Sequence, residues 1–299
     1  MVAANRDEFH DRHSAPAAYW NPAMPSDGGK LVEPPVLFAG RDFQGGGTWL
    51  GMRRGAADTS LRVGALTNLR PGQMPAPTSP KRLTTPGGPR TPPAVPPSRG
   101  NLVADYLARG ESPSGFLRSL EPSPGAYAGF NLLAISLSGA GARVDAWYVN
   151  NLPGSAPLRL AAGIHLLSNA TLDVPWPKTR LLGEAMTAAL DGRGSSTGAS
   201  VERREDDDHE LVASLMAALG DRTQAEDAAL PATGLDRDRE RLLSAPFIAD
   251  DHYGTRCSTV LVVGRDGRVV FCERSFGPRG RLLGTVTEHF RLASAPAPE

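Results

Sequence analysis

Apolar residues in the first third of the chain come in short runs that stop at glycine or polar turns. Val2 to Ala4, Val36 to Gly40, Thr48 to Arg53 and Arg62 to Thr67 read as strands, with three glycines at 45–47 between two of them. Residues 71–97 carry ten prolines in 27 positions. Such a stretch neither pairs in a sheet nor fills a core, so an extended or disordered insert is expected there. Beyond it the spacing becomes helical: LVADYLA (102–108) after Ser98, then Gly115 to Leu120. Strands return at Phe130 to Leu137, Val144 to Val149 and Leu158 to Leu167. Lys178 to Leu190 and Glu210 to Leu219 have apolar residues at helical spacing, and the charged run at 191–208 reads as a linker. STVLVV (258–263) and RVVFCER (268–274) flank an Asp-Gly turn and predict a closing hairpin in which Gly264 faces Gly267 and Cys272 faces Thr259. Strand runs enclosing a helical middle predict an α+β fold with an antiparallel sheet. Because VLVV is apolar on both faces, part of that sheet should be covered on both sides. A single domain over 1–292 with a frayed tail at 293–299 is expected.

Composition narrows the function. Lys and Arg total 32 and Asp and Glu total 32, so no net basic field favours nucleic acid or an anionic membrane. The longest apolar runs, such as Phe130 to Leu137, are far shorter than the roughly 20 residues of a membrane-crossing helix. Charges at Arg6, Asp7, Glu8, Asp11 and Arg12 leave no apolar core for a secretory leader, and a cytoplasmic protein is expected. Two cysteines, Cys257 and Cys272, make no disulfide framework and are expected to be reduced.

Several motifs fail their structural tests. Gly194 to Gly198 satisfies G-x-S-x-G, but a helix end precedes it where a nucleophile elbow needs a strand; it reads as linker. Asp206-Asp207-Asp208-His209-Glu210 reads as a solvated helix start, since consecutive carboxylates point apart. Asp250-Asp251-His252 shares that weakness. GGGTWLG (45–51) lacks the Lys-Ser/Thr of a phosphate loop, and His165 in its apolar run reads as a core histidine.

Three polar clusters remain at expected strand ends: Asn5-Arg6-Asp7-Glu8, Thr67-Asn68-Leu69-Arg70 and Ser168-Asn169. A strand that delivers an amide or guanidinium at its end can present it rigidly to a substrate carbonyl or carboxylate. With them stand ANRDEF (4–9), AGRDFQGGGTWLG (39–51), ALTNLR (65–70), SRGNLV (98–103), GFNLL (129–133), LSNATLDVPWPK (167–178) and YGTRCSTV (253–260), in that order. From Ala3 to about Arg274 the chain resembles the NRDE family, also called the transport and Golgi organisation protein 2 family.

The resemblance implies an N-terminal nucleophile hydrolase-like fold, a four-layer αββα sandwich of two antiparallel sheets. Relatives of that fold include the penicillin V acylase and bile salt hydrolase group, which cleave amides with an N-terminal Cys. Their Arg-x-x-Asp looks like Asn5-Arg6-Asp7-Glu8, with Glu8 in the acid position and Asn5 replacing the Arg. Their oxyanion asparagines look like Asn68 and Asn169, and an arginine near their last strands like Arg256. Asn5, Asp7, Glu8, Asn68, Asn169 and Arg256 are therefore the candidate catalytic residues, around a pocket for a small-molecule ligand or substrate. No cofactor or metal is expected, and oligomeric state is open. NRDE chains begin Met-Cys and reach the motif after a first strand, whereas here Met1 and Val2 stand directly before it and no Cys, Ser or Thr precedes Ser14. The first strand is expected to be missing from this sequence, with a nucleophilic Cys upstream. Two functions follow as expectations: hydrolysis of non-peptide amide bonds if that Cys exists, or non-catalytic binding and trafficking of haem or an acyl-lipid.

Overall fold

The computed structural model describes residues 1–22, 36–69, 97–120, 127–139, 143–192 and 201–293, with side chains from 207 in the last segment. Arg70, the Pro-rich insert up to Pro96, the G-x-S-x-G run and the tail from 294 lie outside the described residues. In chain order the elements are β1 (Val2–Phe9), β2 (Ser14–Trp20), β3 (Leu37–Asp42), β4 (Leu50–Arg54), β5 (Ser60–Asn68), α1 (Gly100–Ala108), α2 (Pro113–Ser119), β6 (Phe130–Ser138), β7 (Arg143–Asn150) and β8 (Leu158–Arg159). There follow α3 (Pro177–Asp191), α4 (Val201–Leu219), α5 (Arg237–Leu242), β9 (Tyr253–Val263), β10 (Arg268–Gly277) and β11 (Arg281–Arg291). They build two antiparallel sheets, a four-stranded one in the order β1-β9-β10-β11 and a seven-stranded one running β2 to β8 in sequence.

The apolar alternation of the strands assigns the layers. Ala17, Phe38, Met52, Leu61 and Val63 from the larger sheet meet Leu261, Val269 and Phe271 from the smaller, with the Phe38 and Phe271 rings edge-on at 5.0 Å. The outer face of the larger sheet, through Leu37, Leu132, Ala134 and Val149, packs on Leu102, Val103, Tyr106 and Leu107 of α1 and Phe116 and Leu117 of α2. Val260, Val262, Val270 and Cys272 cover the other outer face with Leu211, Leu215, Met216 and Leu219 of α4, beside Leu182 and Met186 of α3. The result is α+β with the layers helix, sheet, sheet, helix, so the β9–β10 hairpin is covered on both sides, as its apolar run predicts.

The hairpin register differs by one residue from the expectation. Gly264 N donates to Arg268 O and Gly267 N to Gly264 O, so three residues turn rather than two. Gly267, at φ +84°, takes the left-handed position that such a loop requires. Cys272 therefore faces Val260, and Glu273 faces Thr259. Since a one-residue slip exchanges faces, Cys257 looks into the space between the sheets and Cys272 toward α4. Both are free thiols.

Other differences are local. β1 does not stop at Ala4: the NRDE residues lie inside the strand, paired to β9. β8 ends at Arg159, and the chain to Leu167 runs without regular structure past Gly163 at φ +152°. α4 begins at Val201, so the acidic run lies within the helix, and Asp208 is buried against Arg268 at 3.1 Å instead of solvated.

Candidate functional site

Alternation along β1 divides the NRDE motif between two environments. Val2 and Ala4 face the intersheet core, and Arg6 follows them on that side. Its guanidinium lies 4.2 Å from the Trp49 ring centroid and 3.8 Å from Asp42. Ala3 faces the α4 layer, and Asn5 follows it. Asn5 Nδ2 donates to Leu219 O at 2.8 Å and Pro246 O at 2.7 Å, while its Oδ1 accepts from Ser258 Oγ at 2.6 Å.

A β-bulge then re-aims the partner strand. Arg6 pairs with Cys257 but Asp7 with Thr255, leaving Arg256 as the extra residue. Arg256 and Cys257, neighbours that alternation would send to opposite faces, thereby line one cavity of about 180 Å³. Arg6, Trp49 and Glu273 line it too, with an apolar wall that includes Phe276, Leu283 and Val286. Arg256 is held by donation from Nη1 to Phe9 O and Arg12 O.

Glu273 is the buried acid of this cavity. Its Oε1 accepts from Ala17 N at 2.7 Å, bridging the two sheets, and its Oε2 from Thr259 Oγ1 at 3.1 Å. Burial drives its pKa up, against the lowering effect of those bonds and of Arg6. Burial likewise pushes the Cys257 thiol well up, with the Glu273 charge adding to the effect, so Cys257 is a poor thiolate. Because the folded state raises the Glu273 pKa, the stability its neutral form carries is complete below the ordinary Glu range and is lost as pH rises through the folded value. Glu273→Gln, which keeps an acceptor for Ala17 N without the charge, is expected to melt level with the wild type at pH 4 and to gain on it as pH rises to 8. Thermal melts across that range check this, and a pH-independent gap would refute it.

Behind Arg6 lies a charged lattice. Arg12 donates to Asp42 Oδ2 from Nε at 2.9 Å and Nη2 at 2.8 Å and approaches Glu8 at 3.6 Å. Burial alone would raise the Asp42 pKa, but hydrogen bonds from Arg12 and the Gly45 amide, with the charges of Arg12 and Arg6, outweigh it and hold the carboxyl low. The three glycines make this packing possible. A Cβ on Gly45 would stand 2.7 Å from Arg12 Nη2, and one on Gly47 only 2.3 Å from the Gly100 backbone.

The six candidates of the sequence do not converge on one point. Asn5 and Asp7 serve packing: Asp7 Oδ1 accepts from Thr255 Oγ1 at 2.7 Å, and that hydroxyl also accepts from Ile248 N. Glu8 joins Arg12, and Arg256 lines the cavity. Asn169 Nδ2 donates to Asn68 O at 2.9 Å, so these two meet each other at the end of the larger sheet, and neither lines the cavity. Asn131 organises that end, donating to Thr67 Oγ1 and Ala170 O and accepting from Tyr148 OH at 2.7 Å. Sequence reasoning missed Arg6, Trp49 and Glu273. Strict alternation from Val2 and Ala4 is the signal that would have placed Arg6. His165 is no core residue: it is exposed, with Nδ1 3.0 Å from Asp173 Oδ2 and Nε2 3.1 Å from Ala161 O, and the first of these contacts raises its pKa. Asp250 forms a turn that accepts from His252 N, and Asp251 pairs with Arg279.

Among the described residues no helix is long and apolar enough to cross a membrane. Comparison with known proteins matches residues 1–278 to the family model described as Transport and Golgi organisation 2. The chain is 33% identical to a transport and Golgi organization protein 2 homolog of Bos taurus over 299 residues, covering 98% of this chain and 93% of that one. A Homo sapiens homolog of the same name is 29% identical over 278 residues, with 92% and 86% covered. The Drosophila melanogaster protein is 27% identical over 279 residues, with 92% and 85% covered. With the family model spanning nearly the whole chain, this protein belongs to the Transport and Golgi organisation 2 family.

Proposed function

We propose that the protein binds a small molecule in the cavity between its two sheets, within an amidohydrolase-like, N-terminal nucleophile hydrolase-like architecture. The observation that carries this reading is the bulge at Arg256, which turns two successive β9 residues into one cavity beside Arg6 and Glu273. Bulges of this kind re-aim side chains next to functional sites. Amide hydrolysis is the finer form of the reading. It needs an N-terminal Cys, Ser or Thr whose own α-amine is its base, and intact mass of the native protein reads whether one is present. Trafficking of haem fits the cavity poorly. No histidine lines it, and 180 Å³ is below the roughly 300–1,000 Å³ of common ligand pockets. Two free buried thiols agree with the cytoplasm as its compartment.

Gly284 gives a clean test. It lines the cavity, and a Cβ there meets nothing within 4 Å, so Gly284→Trp can start without a backbone clash and should obstruct the cavity. A set of neutral and charged fragments, followed by saturation-transfer NMR, is expected to bind the wild type and to lose about tenfold or more in affinity to the variant at unchanged Tm. Equal binding to both proteins would sink the cavity as the ligand site.

A further inference from the structure

Two arginines line the cavity, and each keeps one buried guanidinium nitrogen out of its contacts. Arg6 Nη1 and Arg256 Nε are both buried without a hydrogen-bond partner among the described residues, a costly condition for a charged donor. The Arg6 side chain is 9% exposed, and its ion pair with Asp42 is long because that carboxylate is held closely by Arg12. The two guanidiniums also oppose each other: burial, and after it the charge of Arg6, lowers the Arg256 pKa. Arg12 and Arg99 lie in the same field, and burial lowers the Arg99 pKa ahead of the charge of Arg12. Glu8, Asp11 and Asp42 are the carboxylates in this field, and Glu273, whose pKa burial raises, lines the cavity itself. Two of these four arginines, Arg6 and Arg256, line the cavity.

The remaining walls are mixed, with Ser14, Ser275 and Thr285 among a majority of apolar residues. The apolar ones are Pro16, Phe276, Leu283 and Val286, with Trp49, whose ring carries the Arg6 guanidinium 4.2 Å from its centroid. Its 180 Å³ is close to the roughly 150 Å³ that accepts a benzene ring in a protein interior. A hydrated inorganic anion would leave the apolar residues unused, whereas a carboxylate with a short hydrocarbon body uses both kinds of lining. Guanidinium and carboxylate are also geometrically matched, each offering paired sites in one plane.

We propose that the cavity is a monocarboxylate site in which Arg6 and Arg256 hold the carboxylate and the walls at Trp49, Phe276 and Leu283 hold a hydrocarbon body of about six carbons or fewer. The proposal rests on the cavity being the small-molecule pocket and names its ligand class. An anion between the two guanidiniums relieves their mutual repulsion.

Calorimetric titration of the full chain with sodium benzoate and sodium butyrate tests it, with benzamide, butanol and inorganic phosphate as comparisons. Both carboxylates should bind at least tenfold more tightly than their neutral counterparts, the factor of about ten that one charge-assisted hydrogen bond supplies. Phosphate should bind more weakly than either. Arg256→Gln should remove about tenfold from carboxylate binding while leaving benzamide unchanged, and Arg6→Gln should do the same. If Arg6→Gln does not fold, Arg256→Gln and Arg256→Lys decide alone, the lysine keeping the charge but losing the planar fork. The proposal is overturned if benzamide binds as well as benzoate, if phosphate equals butyrate, if Arg256→Gln changes nothing, or if no carboxylate binds because water alone satisfies the arginines. Neutral fragments that still bind the wild type and fail on Gly284→Trp would in those cases keep the pocket while removing its ligand class.

Discussion

Gly47→Ala is expected to cost about 3 kcal/mol and to lower the midpoint of thermal unfolding by roughly 6–12 °C. Two effects combine at this position. Its φ of +71° is left-handed, where an L side chain costs about 1–2 kcal/mol. A Cβ would also stand 2.3 Å from the carbonyl carbon and oxygen of Gly100 and 2.7 Å from Asn101 N. Those are backbone atoms at the start of α1, and no rotamer change relieves them. The contact cannot open without breaking Thr48 N to Gly100 O and Asp42 N to Gly47 O, both 3.1 Å, and Asp42 is the carboxylate on which Arg12 and Arg6 rest. Differential scanning calorimetry checks the loss, with Gly284→Ala as the comparison, since that site is open and should move by less than about 1 kcal/mol. A Tm unchanged in Gly47→Ala would mean that the loop does not need its close approach to α1.

The layers of this fold were legible because burial is periodic. VLVV (260–263) announced a strand covered twice, and α4 supplies its outer cover, while LVADYLA (102–108) announced a helix, which is α1. Elements without periodic burial were not legible. β11 is exposed along its first half and alternates only from Val286 on, and β2 contains Pro16 in a short run of small residues. The quoted sequence blocks do meet in space: Gly47 of one against Gly100 of another, Asn131 against Ala170, Arg256 against Phe9 and Arg12. Motif order therefore pointed to the right segments. It could not say which side chain of a segment faces the cavity, because that depends on register. One residue in the β9–β10 loop and one bulge at Arg256 decide that Glu273, Cys257 and Arg6 share a space while Asn5 looks the other way.

That orientation gives the second large expected effect. Asn5→Asp should destabilise the protein by about 3–4 kcal/mol and Asn5→Ala by about 2–3 kcal/mol, in that order. The Asn5 amide donates to Leu219 O, one of the last carbonyls of α4, which the helix itself leaves without a partner. It also donates to Pro246 O and accepts from Ser258 Oγ, so one side chain ties β1, the end of α4, the loop before β9 and β9 itself. Alanine leaves two carbonyls and a hydroxyl without this partner. Aspartate is worse than absence, because it sets a carboxylate oxygen against carbonyl oxygens at the 2.7 and 2.8 Å now bridged by N–H, and burying that charge unpaired adds its own cost. Denaturant unfolding of the three proteins measures the order directly. If Asn5 instead served as a substrate-facing residue, both variants would unfold with the wild type and lose ligand binding. The α4 tie predicts the reverse: lowered midpoints, with benzoate affinity retained by the folded fraction, since Arg6 and Arg256 lie on the opposite face of the same sheet.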